Sequence, residues 1–116
     1  VAYDTDLAAR VREQLADNPE VYEQPMFGGL AFLVAGRLAV AASGQGGLLV
    51  RVDPARVDRL LAAGTAQPMQ MGGRAIRGWL RIDGEHLRTK RQLAKWIAIG
   101  TATAESIPAS RSRHVS

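Results

Sequence analysis

Hydrophobic positions change their period several times along the chain, and each change marks an element. Leu7, Val11 and Leu15, with Ala8, recur at spacings of three and four and line one face of a helix. Asp4 or Thr5 precedes that stripe and offers a short side-chain oxygen to the open amides of the first turn. Asn18-Pro19 is expected to end the helix, because a residue before proline avoids the helical region. From Val21 the period becomes two. Leu30, Phe32 and Val34 alternate with Ala31, Leu33 and Ala35. After a turn at Ala35-Gly36, where Gly36 is expected to supply positive φ, Leu38, Val40 and Ala42 alternate with Ala39, Ala41 and Ser43. Gly44-Gln45-Gly46-Gly47 makes a second turn, and Leu48, Val50 and Val52 then alternate with Leu49 and Arg51. This pattern predicts a meander of antiparallel strands, each with one bulkier face.

Asp53-Pro54 reads as a cap followed by a first helical residue, since proline has no amide to lose there. Val57, Leu60 and Leu61 form the buried stripe of that second helix, and Gly64 stops it. QPMQM (67–71) is a short strand whose Pro68 suits a sheet edge. In the last strand Ile76, Gly78, Leu80 and Ile82 oppose Arg77, Trp79 and Arg81. Thr89-Lys90-Arg91-Gln92 has the form of a capping box, and Leu93, Trp96, Ile97, Gly100 and Ala104 give the final helix its stripe. The order is helix, three or four strands, helix, two strands, helix. It predicts a two-layer α+β fold, an antiparallel sheet with helices on one face. We expect a single domain over residues 1–107 and a disordered basic tail over 108–116.

Composition narrows the chemistry. The 116 residues include no cysteine, which removes disulfides and thiolate-based zinc or redox sites and fits a reducing, cytoplasmic setting. Apolar runs are broken well short of a membrane span. The acidic, amphipathic start VAYDTDLAAR is unlike a signal peptide, so no secretory leader is expected. Net charge is +4, unevenly spread. Residues 1–35 hold two Arg against six Asp or Glu, a net of −4, whereas residues 36–116 hold thirteen Lys or Arg against five, a net of +8. A basic body invites phosphate contacts, and an acidic end on a basic body also favours self-association with the ends opposed.

A helix followed by "MFGGLAFLVAGRLAVAASGQGGLLVRV", a second helix, then "MGGRAIRGWLRID" and a Trp-bearing last helix resembles the TfoX/Sxy N-terminal-domain family over roughly residues 3–107. Met26-Phe27-Gly28-Gly29 and Gly78-Trp79-Leu80 are its most specific pieces. The resemblance implies a helix–three strands–helix–two strands–helix arrangement similar to secretion-chaperone-like domains. It also implies a bacterial origin and an association with regulation of DNA-uptake competence, a role of longer members that carry a second, C-terminal domain. This chain is expected to be a stand-alone version of the first domain.

Candidate sites follow from residue type and place. Gly28-Gly29 lacks the lysine and hydroxyl of a phosphate loop and precedes a strand, so it reads as a bulge or close backbone contact. Met26, Phe27, Gly28, Gly29 and Gly78 are accordingly assigned structural roles. Gly44–Gly47 also precedes a strand, and Leu49 stands where a dinucleotide motif needs its third glycine. Met26, Met69 and Met71 read as core filling. Arg77, Trp79 and Arg81, with Arg51 on the same side and Ala31, Ala39 and Ala41 nearby, form the candidate binding or interface face. An aromatic between guanidiniums can stack a base, and Trp and Arg are also enriched at protein interfaces.

Arg88, Lys90 and Arg91 at the start of the last helix oppose its dipole and form a candidate anion site. Asp83-Gly84-Glu85-His86 would need a further convergent ligand to hold a metal, so no metal, cofactor or catalytic group is assigned. The leading expectation is a small binding or regulatory module without catalysis, acting through protein contacts: a homodimer with a regulatory protein partner and no membrane. Nonspecific RNA or DNA binding through the Arg/Trp face is the alternative, and an enzyme with a site formed across a dimer is the third reading.

Overall fold

The computed structural model describes residues 3–26, 28–71 and 73–106. Helix α1 (Thr5–Gln14) leads into strands β1 (Val21–Met26), β2 (Gly29–Val34), β3 (Arg37–Ala42) and β4 (Leu48–Arg51). A 3-10 turn at Pro54–Arg56 opens helix α2 (Val57–Ala62). Strands β5 (Gln67–Met71) and β6 (Arg74–Ile82), a second 3-10 turn at Gly84–His86 and helix α3 (Lys90–Ser106) complete the order. All six strands pair antiparallel in one sheet, β1-β2-β3-β4-β6-β5. Four strands therefore precede α2. The tail expected at 108–116 lies outside the described residues, as does Phe27.

Local chemistry explains the element ends. Asp4 accepts from the Leu7 amide at 3.1 Å and caps α1, and Asp53 accepts from the Ala55 amide at 3.0 Å ahead of the second helix. The Thr89–Gln92 box is reciprocal: each side chain accepts from the other's backbone amide, at 2.9 and 3.0 Å. Helix α1 ends at Gln14, earlier than its proline predicts. Residues 15–17 form a turn, and Asn18 closes a local loop by accepting from the Glu20 amide at 2.9 Å.

The helices cover one face of the sheet. Leu7 and Val11 of α1 and Leu93, Trp96 and Ile97 of α3 share one buried cluster with Phe32, Val40, Val50 and Leu80. Val11, Phe32 and Leu93 have no solvent exposure, and each such side chain contributes roughly 1.5–3 kcal/mol. One expected alternation is corrected. Phe32 pairs with Val40 but Leu33 pairs with Leu38, so Ala39 is an extra residue in β3. The bulge turns Leu38 to the face away from the helices and sets Ala39 against Ala104 of α3. The β2–β3 turn also differs from expectation, because Ala35 (φ 54°) shares the left-handed region with Gly36 (φ 82°).

Both edges of the sheet carry a proline, Pro25 in β1 and Pro68 in β5. A proline offers no amide for a further strand, so the edges resist extension of the sheet. The face opposite the helices is the larger uncovered surface.

Candidate interaction face

Cross-strand partners share a face, so the register maps the uncovered side. One row runs across all six strands: Gln24, Ala31, Ala41, Leu49, Arg81 and Gln67. A parallel row carries Tyr22, Leu33 and Leu38 on one half and Arg51 and Trp79 on the other. Ala31, Ala41, Leu49 and Met69 are buried at its centre, with Met26, Leu33, Leu38 and Trp79 packed around them. Tyr22, at 61% exposure, is the large hydrophobic residue standing furthest into solvent among the described residues. The small alanines of β2 and β3 thus form a floor that the larger side chains packed around them cover.

Trp79 is opposite Arg51 and half-buried against this cluster. Arg81 lies on the same face, but its guanidinium is committed within the fold. Nε pairs with Asp83 Oδ1 at 3.3 Å, Nη1 donates to Ser43 Oγ at 3.5 Å and Nη2 to the Gln45 carbonyl at 3.2 Å. These contacts tie β6 to the β3–β4 turn, where Ser43 is the buried polar side chain. Arg51 also has an interaction within the chain. Arg77 is exposed near the end of β6 that runs past β4, beyond Gly78, whose φ of +89° breaks the regular alternation. Ala39, expected beside these residues, lies on the helix side instead.

Gly28 and Gly29 bring two turns together. A Cβ on Gly29 would stand 2.0 Å from the Ala42 carbonyl oxygen, and one on Gly44 would stand 2.5 Å from the Gly28 oxygen. Backbone meets backbone here, and only hydrogen fits between. Met26 packs on the uncovered face beside the Ala31 cluster. Met69 fills that same face instead of the helix-covered core, and the side chain of Met71 lies outside the described residues.

Arg88, Lys90 and Arg91 are exposed at the start of α3. The capping box already uses the Gln92 amide, and Arg10 of α1 reaches across to the Leu87 carbonyl at 2.7 Å. Gln14 donates to the Lys90 carbonyl at 3.1 Å. An open groove of about 530 Å³ lies between the two helices, lined by Glu13, Gln14, Lys90, Arg91 and Ala94. Glu13 sets a carboxylate beside the cations, which weakens the attraction for an anion. In the 83–86 turn, His86 Nε2 is 3.4 Å from Glu85 Oε2, while Asp83 serves Arg81 and Gln67. Among the described residues no three His, Cys, Asp or Glu side chains converge as metal ligands, and no helix is long and apolar enough to cross a membrane.

The parts missed by sequence reasoning are apolar. Tyr22, Leu33, Leu38, Leu49 and Met69 lie on the open face; period-two spacing marks Leu33 and Leu49, whereas Leu38 reaches it only through the bulge at Ala39. Fold and face together define a two-layer α+β protein with one helix-covered and one uncovered sheet surface. The chain belongs to the TfoX N-terminal domain family, which it matches over residues 13–104. No curated protein and no solved structure matches it significantly.

Proposed function

We propose that this protein is a small binding and regulatory module, not a catalyst, and that it acts through protein contacts on the uncovered face of its sheet. One observation carries the reading: the face with no helix over it is apolar, with Tyr22 exposed and Leu33, Leu38 and Trp79 half-buried above a buried floor of Ala31, Ala41, Leu49 and Met69. Contiguous apolar surface of this kind marks interaction sites in folded proteins. The family supports a regulatory setting. Nucleic acid is the weaker occupant, because Arg81 spends its donors on Asp83, Ser43 and Gln45.

Leu38→Glu tests the proposal by placing a charge on the open face while sparing the helix-covered core. The folded variant should keep its far-UV circular dichroism and lose association, read as loss of mass above the monomer or of a co-purifying protein. A folded variant that retains every contact overturns the reading. Salt-sensitive binding of labelled RNA or DNA between about 50 and 200 mM salt, lost in Arg77→Glu, would move the function to phosphate contacts.

A further inference from the structure

A second surface lies where β6 runs past β4. Pairing between these two strands ends at Arg51 and Trp79, and residues 74–77 continue in the sheet beside β5 alone. The 3-10 turn at Pro54–Arg56 and helix α2 pack against β6. Gly78 is the point of contact. The Val52 amide donates to its carbonyl at 2.8 Å, and a Cβ on Gly78 would stand 3.8 Å from the Pro54 ring. Two stretches distant in sequence, 56–59 and 74–77, thereby meet at one end of the sheet.

Both stretches carry arginine. Arg56, Arg59, Arg74 and Arg77 are exposed. Among the described residues, no ion pair or side-chain hydrogen bond holds any of them. Residues 51–80 hold five Arg against two Asp, a net of +3. One of those carboxylates, Asp53, already accepts the Ala55 amide. Cations elsewhere are answered within the chain: Arg10 donates to the Leu87 carbonyl, Arg12 pairs with Glu23 and Arg81 with Asp83. Those at the start of α3 share their groove with Glu13. Unanswered like charges at one end repel one another in the folded chain and attract a polyanion.

We infer that this arginine end is a docking surface for an acidic segment of a partner protein. Guanidinium forks bind carboxylates in bidentate fashion, and Arg74 and Arg77 stand about 10 Å apart along their strand, so they engage separate acidic residues. The adjoining surface decides against nucleic acid. Binding of single strands combines cations with a run of aromatic rings on which bases stack. Here Trp79 is half-buried and stands alone, because Tyr22, the other aromatic of that side, is on β1 at the far edge of the sheet. The remaining neighbours of Trp79 in its cluster are aliphatic or thioether side chains. The arginine end acts whether or not the open face is occupied, so the two surfaces fail or stand separately.

Fluorescein-labelled poly-L-glutamate is the probe, titrated by anisotropy at about 50 and 200 mM salt. The parent should bind it at the lower salt and weaken at the higher. Arg74→Glu with Arg77→Glu should weaken binding by at least about tenfold, as should Arg56→Glu with Arg59→Glu. All four side chains are exposed, so both variants should keep the parent's far-UV circular dichroism. Arg37→Glu with Lys95→Glu removes the same charge elsewhere on the surface and should change binding by less than about threefold. Labelled single-stranded oligothymidylate of matched charge should bind more weakly than the polyglutamate.

A parent that shows no salt-sensitive binding of polyglutamate overturns the inference. Equal weakening by the Arg37 and Lys95 pair would show a response to net charge alone and overturns the site. Tighter binding of oligothymidylate, lost in the same arginine variants, overturns the protein partner and assigns this end to nucleic acid. The open face has its own test in Leu38→Glu, so failure of the arginine end leaves that reading where it stands.

Discussion

Gly100 of α3 lies so close to β3 that a methyl group on its Cα would stand 2.5 Å from the Ala39 carbonyl oxygen and 2.7 Å from Val40 Cγ1. The helix seats on the sheet at this point, and the bulge at Ala39 presents the carbonyl to it. In an open helix, Gly→Ala stabilises by about 1 kcal/mol. Here the sign should reverse. Gly100→Ala must push backbone away, so a net loss of about 1–3 kcal/mol is expected in denaturant unfolding. A gain in stability would show that α3 can lift off β3 at little cost.

Ala35 holds φ at 54° in an exposed turn, where an L side chain costs roughly 1–2 kcal/mol. Ala35→Gly removes that cost and adds back some unfolded-chain entropy, so stability should rise by about 0.5–1 kcal/mol. Ala35→Asn, which makes the preferred Asn-Gly pair with Gly36, should act in the same direction. The thermal midpoint measures both.

Arg81 and Arg77 look equivalent in sequence, yet only one is built into the fold. Arg81→Ala releases Ser43 Oγ and the Gln45 carbonyl, so it should cost about 1 kcal/mol and speed amide exchange in residues 43–47. Arg77→Ala, on an exposed side chain, should stay within about 0.5 kcal/mol of the parent. Equal effects would mean that the Arg81 contacts do not hold the turn in solution.

Fold was more legible in the sequence than site. Capping chemistry is local, so Asp4, Asp53 and the Thr89–Gln92 box could be read directly, as could the α3 stripe from Leu93 to Ala104. The bulge could not. An extra residue in β3 depends on how β2 lies beside it, and no local pattern distinguishes Ala39 facing in from Ala39 facing out. The same limit hid the commitment of Arg81, whose partners Ser43 and Gln45 sit across two turns of the chain. Trp79 was located correctly with Arg51 because cross-strand alternation placed both on one face. That the patch around them is mainly apolar follows only once β1, β2 and β3 are added to the same surface.

Arg12 of α1 and Glu23 of β1 form a two-pronged ion pair on the helix side, with Nη2 at 2.9 Å from Oε1 and Nε bonded to Oε2. The hydrogen bond from Arg12 holds the Glu23 carboxyl below its ordinary range, and the same contact raises the Arg12 guanidinium. A depressed carboxyl contributes stability that is fully present above its unfolded value of about 4.5 and is lost as pH falls through the lower folded value. The loss on acidification should therefore include a Glu23 component below that point. Arg12→Ala should return Glu23 to ordinary titration, seen by carboxyl NMR, and Glu23→Gln should flatten the stability profile over the same acid range. The pair is solvent-facing, so high salt should shrink both effects. An unshifted Glu23 in the parent at low salt would show that the two side chains do not hold each other, leaving α1 tied to the rest of the fold by its buried stripe and by Arg10 and Gln14 alone.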